Sequence, residues 1–263
     1  MTSVSSGIRV RIDDGIASVE IDNPARRNAL TKAMCLELQE WMPRLDADPE
    51  VVLVALRGRG STFCAGAALD EITSVLLDQQ DDGAVVDHLS AADRAITSVA
   101  KPTVALVDGP CMGGGWQIAA ACDFIVASER STFAITPAKL GIIYPRVGIE
   151  RLVRLVGPAT AKMLLFTGKS LTAREAETLG LVAAVFPDDE FQESVRIMTA
   201  SLLTNSGFSI HTLKRLVDHT SDADPDLDLE WARAWQATVD GPDMAIGIHA
   251  FINREAPRFS WRP

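Results

Sequence analysis

Two short stretches of backbone carry the chemistry this chain could do. Gly113, Gly114 and Gly115 are three consecutive glycines between an apolar run and a helical pattern. Lacking Cβ atoms, they can bring the main chain close to a ligand and adopt positive φ. The free N–H groups and dipole of the helix that starts there favour negative charge. The N–H of Gly114 could therefore donate to an oxyanion. The same residues also read as a tight turn, or as close packing of a strand on a helix. Residues 63–69, Phe-Cys-Ala-Gly-Ala-Ala-Leu, form a second loop of small residues after another apolar run. The N–H of Ala67 could converge with that of Gly114. Taken alone, that loop is a strand-to-helix connection. Neither GxGxxG nor GxxxxGK[ST] occurs, so dinucleotide and P-loop readings are weak.

Ionisable side chains add little to these loops. Asp70 and Glu71 follow the second loop, at residues 63–69, and could supply a carboxylate, but they read first as solvent-facing acids at a helix start. His88, His211, His219 and His249 fall in helical patterns, where surface or packing roles are expected. Cys35, Cys64, Cys111 and Cys122 form no CxxC motif and no Cys/His cluster, so no metal is expected. Scattered single cysteines read as small buried residues in a reducing compartment. The net charge of −10 argues against nucleic acid and against anionic membranes as partners. No run of 18 apolar residues spans a membrane and residues 1–15 contain no apolar signal region, so the expected location is cytoplasmic.

The elements that must hold the loops follow from pattern. Residues 8–12 and 16–21, separated by Asp13-Asp14-Gly15, read as a hairpin. Thr31 looks like the N-cap of a helix reaching about Asp46. Residues 51–56 and 102–107 are continuous apolar strands, buried on both sides. Each leads into one of the two loops. Residues 78–82 read as a mobile acidic surface segment, and 84–99 as a helix. A helix at 116–121 and strands at 124–127 and 132–135 follow. This alternation indicates an α/β core over residues 1–190. Residues 191–263 show only helical patterns, at about 190–204, 206–219, 226–239 and 242–253, with a polar link at 222–228.

The combination of motifs is more specific than its parts. Asn23-Pro24-Ala25-Arg26-Arg27-Asn28-Ala29-Leu30 resembles the NPxxxNAL element of the crotonase (enoyl-CoA hydratase/isomerase) family. Residues 63–69 resemble its FxAGxDL element. Lys101-Pro102-Thr103-Val104-Ala105 through Gly109 and Gly113–Gly115 are similar to its KPxIAAVxG…GGG segment. Cys122-Asp123 with Phe133, residues 171–182, and residues 247–259 match further family patterns in order and spacing. The resemblance covers essentially the whole chain. It implies a spiral of ββα turns with a C-terminal helical domain that builds trimers or hexamers. It implies an acyl-CoA thioester as substrate, with coenzyme A entering only as part of that substrate and no separate cofactor. By position, Ala67 and Gly114 match the two backbone donors of the oxyanion hole. Ala65, Ala68, Leu69, Asp70 and Gly113 lie around those donors. Arg26 and Arg27 fall in the loop near the CoA adenine and phosphates, and Arg254 sits where the family often has a CoA-contacting lysine. Solvated surface charge is an equal reading for these arginines.

The chain also departs from the family. Its two catalytic glutamates fall, by position, on Gln117 and Pro137, neither of which exchanges protons at neutral pH. The aspartate usual after the Ala67 position is Ala68. The run Thr136-Pro137-Ala-Lys-Leu-Gly-Ile-Ile-Tyr144 resembles the methylmalonyl-CoA decarboxylases of the same family, in which the threonine and tyrosine face the substrate carboxylate. The histidine those enzymes have at the Ala67 position is missing. A plainer reading has Thr136 capping a turn and Tyr144 packing under the loop. Decarboxylation of a malonyl- or methylmalonyl-type thioester is the expected reaction, because it yields an enolate without a general base. A hydratase or isomerase recruiting Asp70 or Glu71, and a CoA-binding chain with little turnover, are the alternatives.

Overall fold

The computed structural model describes residues 6–221, 225–259 and 261. Residues 1–5 and residues 222–224 of the expected polar link lie outside the described residues. The chain opens with the antiparallel hairpin β1 (Gly7–Asp13) and β2 (Ile16–Asp22), paired from Gly7↔Asp22 to Asp13↔Ile16. Asp14 and Gly15 both take positive φ in its turn, the conformation a two-residue hairpin requires. Helix α1 (Lys32–Ala47) starts at Thr31, whose side chain accepts from the Met34 N–H.

Strand β3 (Leu53–Gly58) pairs in parallel with β2. Next come α2 (Ile72–Leu76), a small hairpin of β4 (Asp78–Gln79) and β5 (Val85–Val86), and α3 (His88–Thr97). The acidic stretch expected to be a mobile surface segment is thus part of a hairpin. Asp78 accepts from Lys32 Nζ at 2.6 Å and lies 2.9 Å from His88 Nε2. The helix expected from residue 84 starts only at His88, because the Asp87 side chain caps it by accepting from the Ser90 N–H.

Two ββα turns follow. The first is β6 (Thr103–Val107), β7 (Pro110–Met112) and α4 (Gly114–Ala120). The second is β8 (Phe124–Ser128), β9 (Thr132–Ala134), α5 (Pro137–Leu140) and α6 (Arg146–Thr167). Helix α6 breaks at Gly157, where φ is +73°, just before Pro158. Then come β10 (Leu171–Thr172), α7 (Ala173–Thr178) and β11 (Ala184–Phe186). Successive turns feed two sheets, one ordered β1-β2-β3-β6-β8-β11 and one ordered β10-β9-β7. Apart from the β1–β2 hairpin, the larger sheet is parallel, which is why its strands read as continuous apolar runs.

The C-terminal part comprises α8 (Phe191–Thr204), α9 (Gly207–Ser221), α10 (Leu227–Asp240) and α11 (Asp243–Asn253). Helix α8 belongs to the core more than to the tail. Its Phe191, Val195, Met198 and Leu202 cover Leu53, Ala55, Val104, Leu106 and Val126 on one face of the large sheet. Helix α9 is tied down by Lys214, whose Nζ reaches Asp123 Oδ1 at 2.9 Å and the Lys101 carbonyl at 3.0 Å. Among the described residues, no helix is long and apolar enough to cross a membrane.

Candidate active site

The loops leaving β3 and β6 re-pair beyond the sheet. Cys64 and Cys111 form an isolated parallel bridge, with Cys64 N–H donating to Pro110 O (3.1 Å) and Met112 N–H to Cys64 O (2.9 Å). On its other side the first loop pairs with Leu30, which donates to Gly66 O and accepts from Ala68 N–H, both at 2.8 Å. The two loops are packed backbone on backbone. A Cβ at Gly115 would lie 2.7 Å from Cys64 O, and one at Gly109 only 2.1 Å from Ser61 O. Fully buried Phe63, Trp116 and Phe133 belong to the core that the loops join.

Asn28 anchors the approach to this ladder. It is fully buried with φ +58°, its Oδ1 accepts from the Asn23 N–H, and its Nδ2 donates to Arg59 O and Thr62 O. Asn23 returns a bond to Ala29 O at 2.8 Å. These two asparagines enter the sequence reading only as letters of a motif. Their work is to satisfy buried main-chain groups that a turn of this shape leaves open.

Ala67 and Gly114 border one small cavity of about 60 Å³. Gly66 (φ +103°) and Gly113 (φ +49°) set the backbone on either side of them. A Cβ on Gly114 would sit 3.2 Å from Ala67 N, so the two main chains touch. Among the hydrogen bonds of the described residues, neither the Ala67 N–H nor the Gly114 N–H has an acceptor. Gly114 is the first residue of α4, whose first-turn N–H groups have no intrahelical partner. Two unpaired N–H groups on one cavity can bind a developing oxyanion.

The rest of the cavity is apolar. Ile72 and Leu76 of α2, Leu89 of α3, and Leu140, Ile142 and Ile143 around α5 line it, together with Ala65, Leu69 and Pro137. The sequence reading missed all the α2 and α3 contributors. Their signal is only an apolar helix face, which ordinary core packing also produces. Thr136 and Tyr144 are the polar side chains of the lining, and Tyr144 is its one ionisable group. Its hydroxyl donates to Gly113 O at 2.8 Å, so its proton is directed at the main chain. Burial pushes the Tyr144 phenol well above its usual pKa and keeps it neutral. The Thr136 hydroxyl makes no capping bond at the start of α5.

Gln117 is fully buried, and neither of its amide atoms has a partner. It does not line the cavity. Its Oε1 would lie 3.4 Å from a Cβ on Gly148, whose place is bounded on the other side by the Tyr144 ring. Ala68 is likewise buried outside the lining, and its N–H donates to Leu30 O. Asp70 is exposed and Glu71 half-buried; both pair with Arg26, at 2.8 Å and 3.4 Å, Glu71 also accepts from the Lys32 N–H at 3.4 Å, and neither is among the residues that line the cavity. Arg27 is exposed at φ +50°, with its carbonyl accepting from the Ala65 N–H. Arg254 is exposed as the left-handed C-cap of α11 and is absent from the cavity lining. Burial pushes the Cys64 thiol up to about 12, which removes the cysteine nearest the loops as a nucleophile.

The sequence profile of the family described as enoyl-CoA hydratase/isomerase matches residues 11–262. The chain belongs to that family. A solved structure of an enoyl-CoA hydratase/isomerase family member is 62% identical, covers 98% of this chain and 100% of its own, and superposes with a TM-score of 0.96. An enoyl-CoA hydratase from Bacillus anthracis, at 26% identity over 96% of this chain and 98% of its own, gives 0.86. A Thermus thermophilus protein to which enoyl-CoA hydratase activity is ascribed is 35% identical over 95% of this chain and 100% of its own length. The fold is therefore the crotonase fold, and the chain is an acyl-CoA enzyme of the hydratase/isomerase family.

Proposed function

We propose that the chain decarboxylates a malonyl- or methylmalonyl-type CoA thioester through an enolate held by the N–H groups of Ala67 and Gly114. One observation carries this reading: among the described residues, no carboxylate, histidine or lysine lines the cavity that these two groups border. Hydration of an enoyl thioester needs a base for water and an acid for carbon. Gln117 and Pro137 supply neither. Decarboxylation needs only that the bond between the α-carbon and the carboxylate break, with its electron pair flowing into the thioester. CO₂ leaves, and the enolate takes a proton from water at the α-carbon. Two backbone donors stabilise the enolate oxygen, each at a cost of about 3–4 kcal/mol of barrier if lost. The apolar walls favour the dispersed charge of the enolate over a localised carboxylate, and the Thr136 hydroxyl is the polar group left to orient that carboxylate.

Arg26, Arg27 and Arg254 fit the CoA moiety as exposed cations, with Arg26 shared with Asp70 and Glu71. Exposed apolar side chains on the last two helices, among them Trp231, Trp235, Phe251 and Ile252, favour self-association as a trimer or hexamer. Four buried free cysteines suit a reducing, cytoplasmic setting.

A second reading is enoyl-CoA hydration or isomerisation, favoured by the activities named for the relatives. It requires Asp70 or Glu71 to turn inward from their pairing with Arg26. The test incubates the protein with methylmalonyl-CoA, malonyl-CoA and crotonyl-CoA and follows each by mass. Loss of CO₂ from a malonyl-type ester is expected. Water addition to crotonyl-CoA at an enzymatic rate, with the malonyl esters untouched, would overturn the proposal. Binding without turnover of any ester would support a CoA-binding role.

A further inference from the structure

We infer that Tyr144 is a positioning residue: its hydroxyl orients and strengthens the Gly114 oxyanion donor through the peptide that joins Gly113 to Gly114. The inference rests on the reading of Gly114 N–H as a donor to the thioester oxygen. The carbonyl of Gly113 and the N–H of Gly114 belong to one planar peptide group, so whatever fixes one fixes the other. That carbonyl accepts twice, from the Tyr144 hydroxyl at 2.8 Å and from the Gln117 N–H at 3.2 Å. A donor on the oxygen draws density from the amide nitrogen and makes its N–H a stronger donor, as in any chain of hydrogen bonds.

The peptide needs such a lock. Gly113 sits at φ +49°, ψ −114°, and nothing lies within 4 Å of where its Cβ would be, so no side-chain packing holds it. Its own N–H is tied to Ala134 O at 2.7 Å, which fixes the near side of the residue only. Tyr144 supplies the fixed point on the far side. Its ring is buried, lies 6.4 Å from the Trp116 ring, and fills the space that a Cβ on Gly148 would need, 2.5 Å from Tyr144 Cε1. So placed, the hydroxyl meets Gly113 O.

Tyr144 is the only tyrosine in the chain, so biosynthetic replacement of tyrosine by 3-fluorotyrosine alters this hydroxyl alone. The probe is propionyl-CoA labelled with ¹³C at the thioester carbonyl, and the readout is the infrared shift of that carbonyl on binding. Wild-type protein should lower the frequency, Tyr144→Phe should lower it less, and the fluorotyrosine protein, a stronger donor of the same shape, should lower it more. On whichever of the three CoA esters is consumed, Tyr144→Phe should reduce kcat about tenfold while KM stays within about threefold. A structural role alone would not grade the frequency with donor strength. Equal shifts in all three proteins overturn the inference while leaving the oxyanion reading intact. No shift in the wild type overturns the oxyanion reading and this inference with it. Should Tyr144→Phe fail to fold, the fluorotyrosine protein decides the matter by itself.

Discussion

The two halves of the cavity are built on different principles. One half is main chain: the loops after β3 and β6, held by the Cys64–Cys111 and Leu30–Ala67 bridges and by glycines whose Cβ atoms would collide with backbone. The other half is side chain: α2, α3 and the segment around α5, whose contributions are aliphatic apart from Thr136 and Tyr144. On the proposed function, the backbone half supplies the two N–H donors that hold an enolate. Among the described residues, the side-chain half has no carboxylate, histidine or lysine.

The sharpest way to break the backbone half is Gly114→Pro. Proline suits the first position of a helix but has no N–H. Turnover should fall at least about 10²-fold, because the N–H is lost and the ring also presses on Leu89 and the Ala67 nitrogen, 3.1 and 3.2 Å from the new Cβ. An activity within tenfold of wild type would remove Gly114 from the oxyanion hole.

The side-chain half is probed by Gln117→Glu. The new carboxyl would enter a fully buried site where even the amide lacks partners. Burial raises the pKa of an acid, so the folded protein favours the neutral form and the penalty appears as pH rises above the ordinary carboxyl value. Thermal melts should show a loss of roughly 2–4 kcal/mol at pH 8 that shrinks towards pH 4. No hydration of crotonyl-CoA should appear, because Pro137 leaves the second proton-transfer position empty. Gln117→Met tests the same site from the other side. Replacing an unpartnered amide by a thioether of similar volume should change stability by less than about 1 kcal/mol, or improve it. A loss well beyond that would mean that the amide is bound by something, such as a buried water.

The smallest expected effect is that of Asp70→Asn. Asp70 is mostly exposed and paired with Arg26, so turnover should stay within about twofold. A collapse of activity would make Asp70 the missing acid and restore the hydratase reading.

The same division explains what could be seen before the fold was known. The loops are legible because glycine and small residues after apolar strands leave few structural options, and Asn23, Asn28 and Gly109 are forced by buried main-chain groups. The apolar wall is not legible, since Ile72, Leu76 and Leu89 look like any core face of a helix. Tyr144 shows the limit most clearly. Its spacing from Thr136 points to a substrate contact, but the absence of side chain at Gly148 admits its ring beneath the loop, where the hydroxyl meets Gly113 O. The helical pattern of α8 places it with the tail, although its apolar face covers the sheet.

The central claim is that an enolate forms here without a protein acid or base. The pH dependence of kcat/KM for CO₂ release from methylmalonyl-CoA, followed in D₂O by mass, tests it most directly. The account predicts a profile flat from about pH 5.5 to 8.5 and propionyl-CoA carrying one deuterium at the α-carbon. A limb that titrates near neutrality, or conversion of crotonyl-CoA in place of methylmalonyl-CoA, would contradict it.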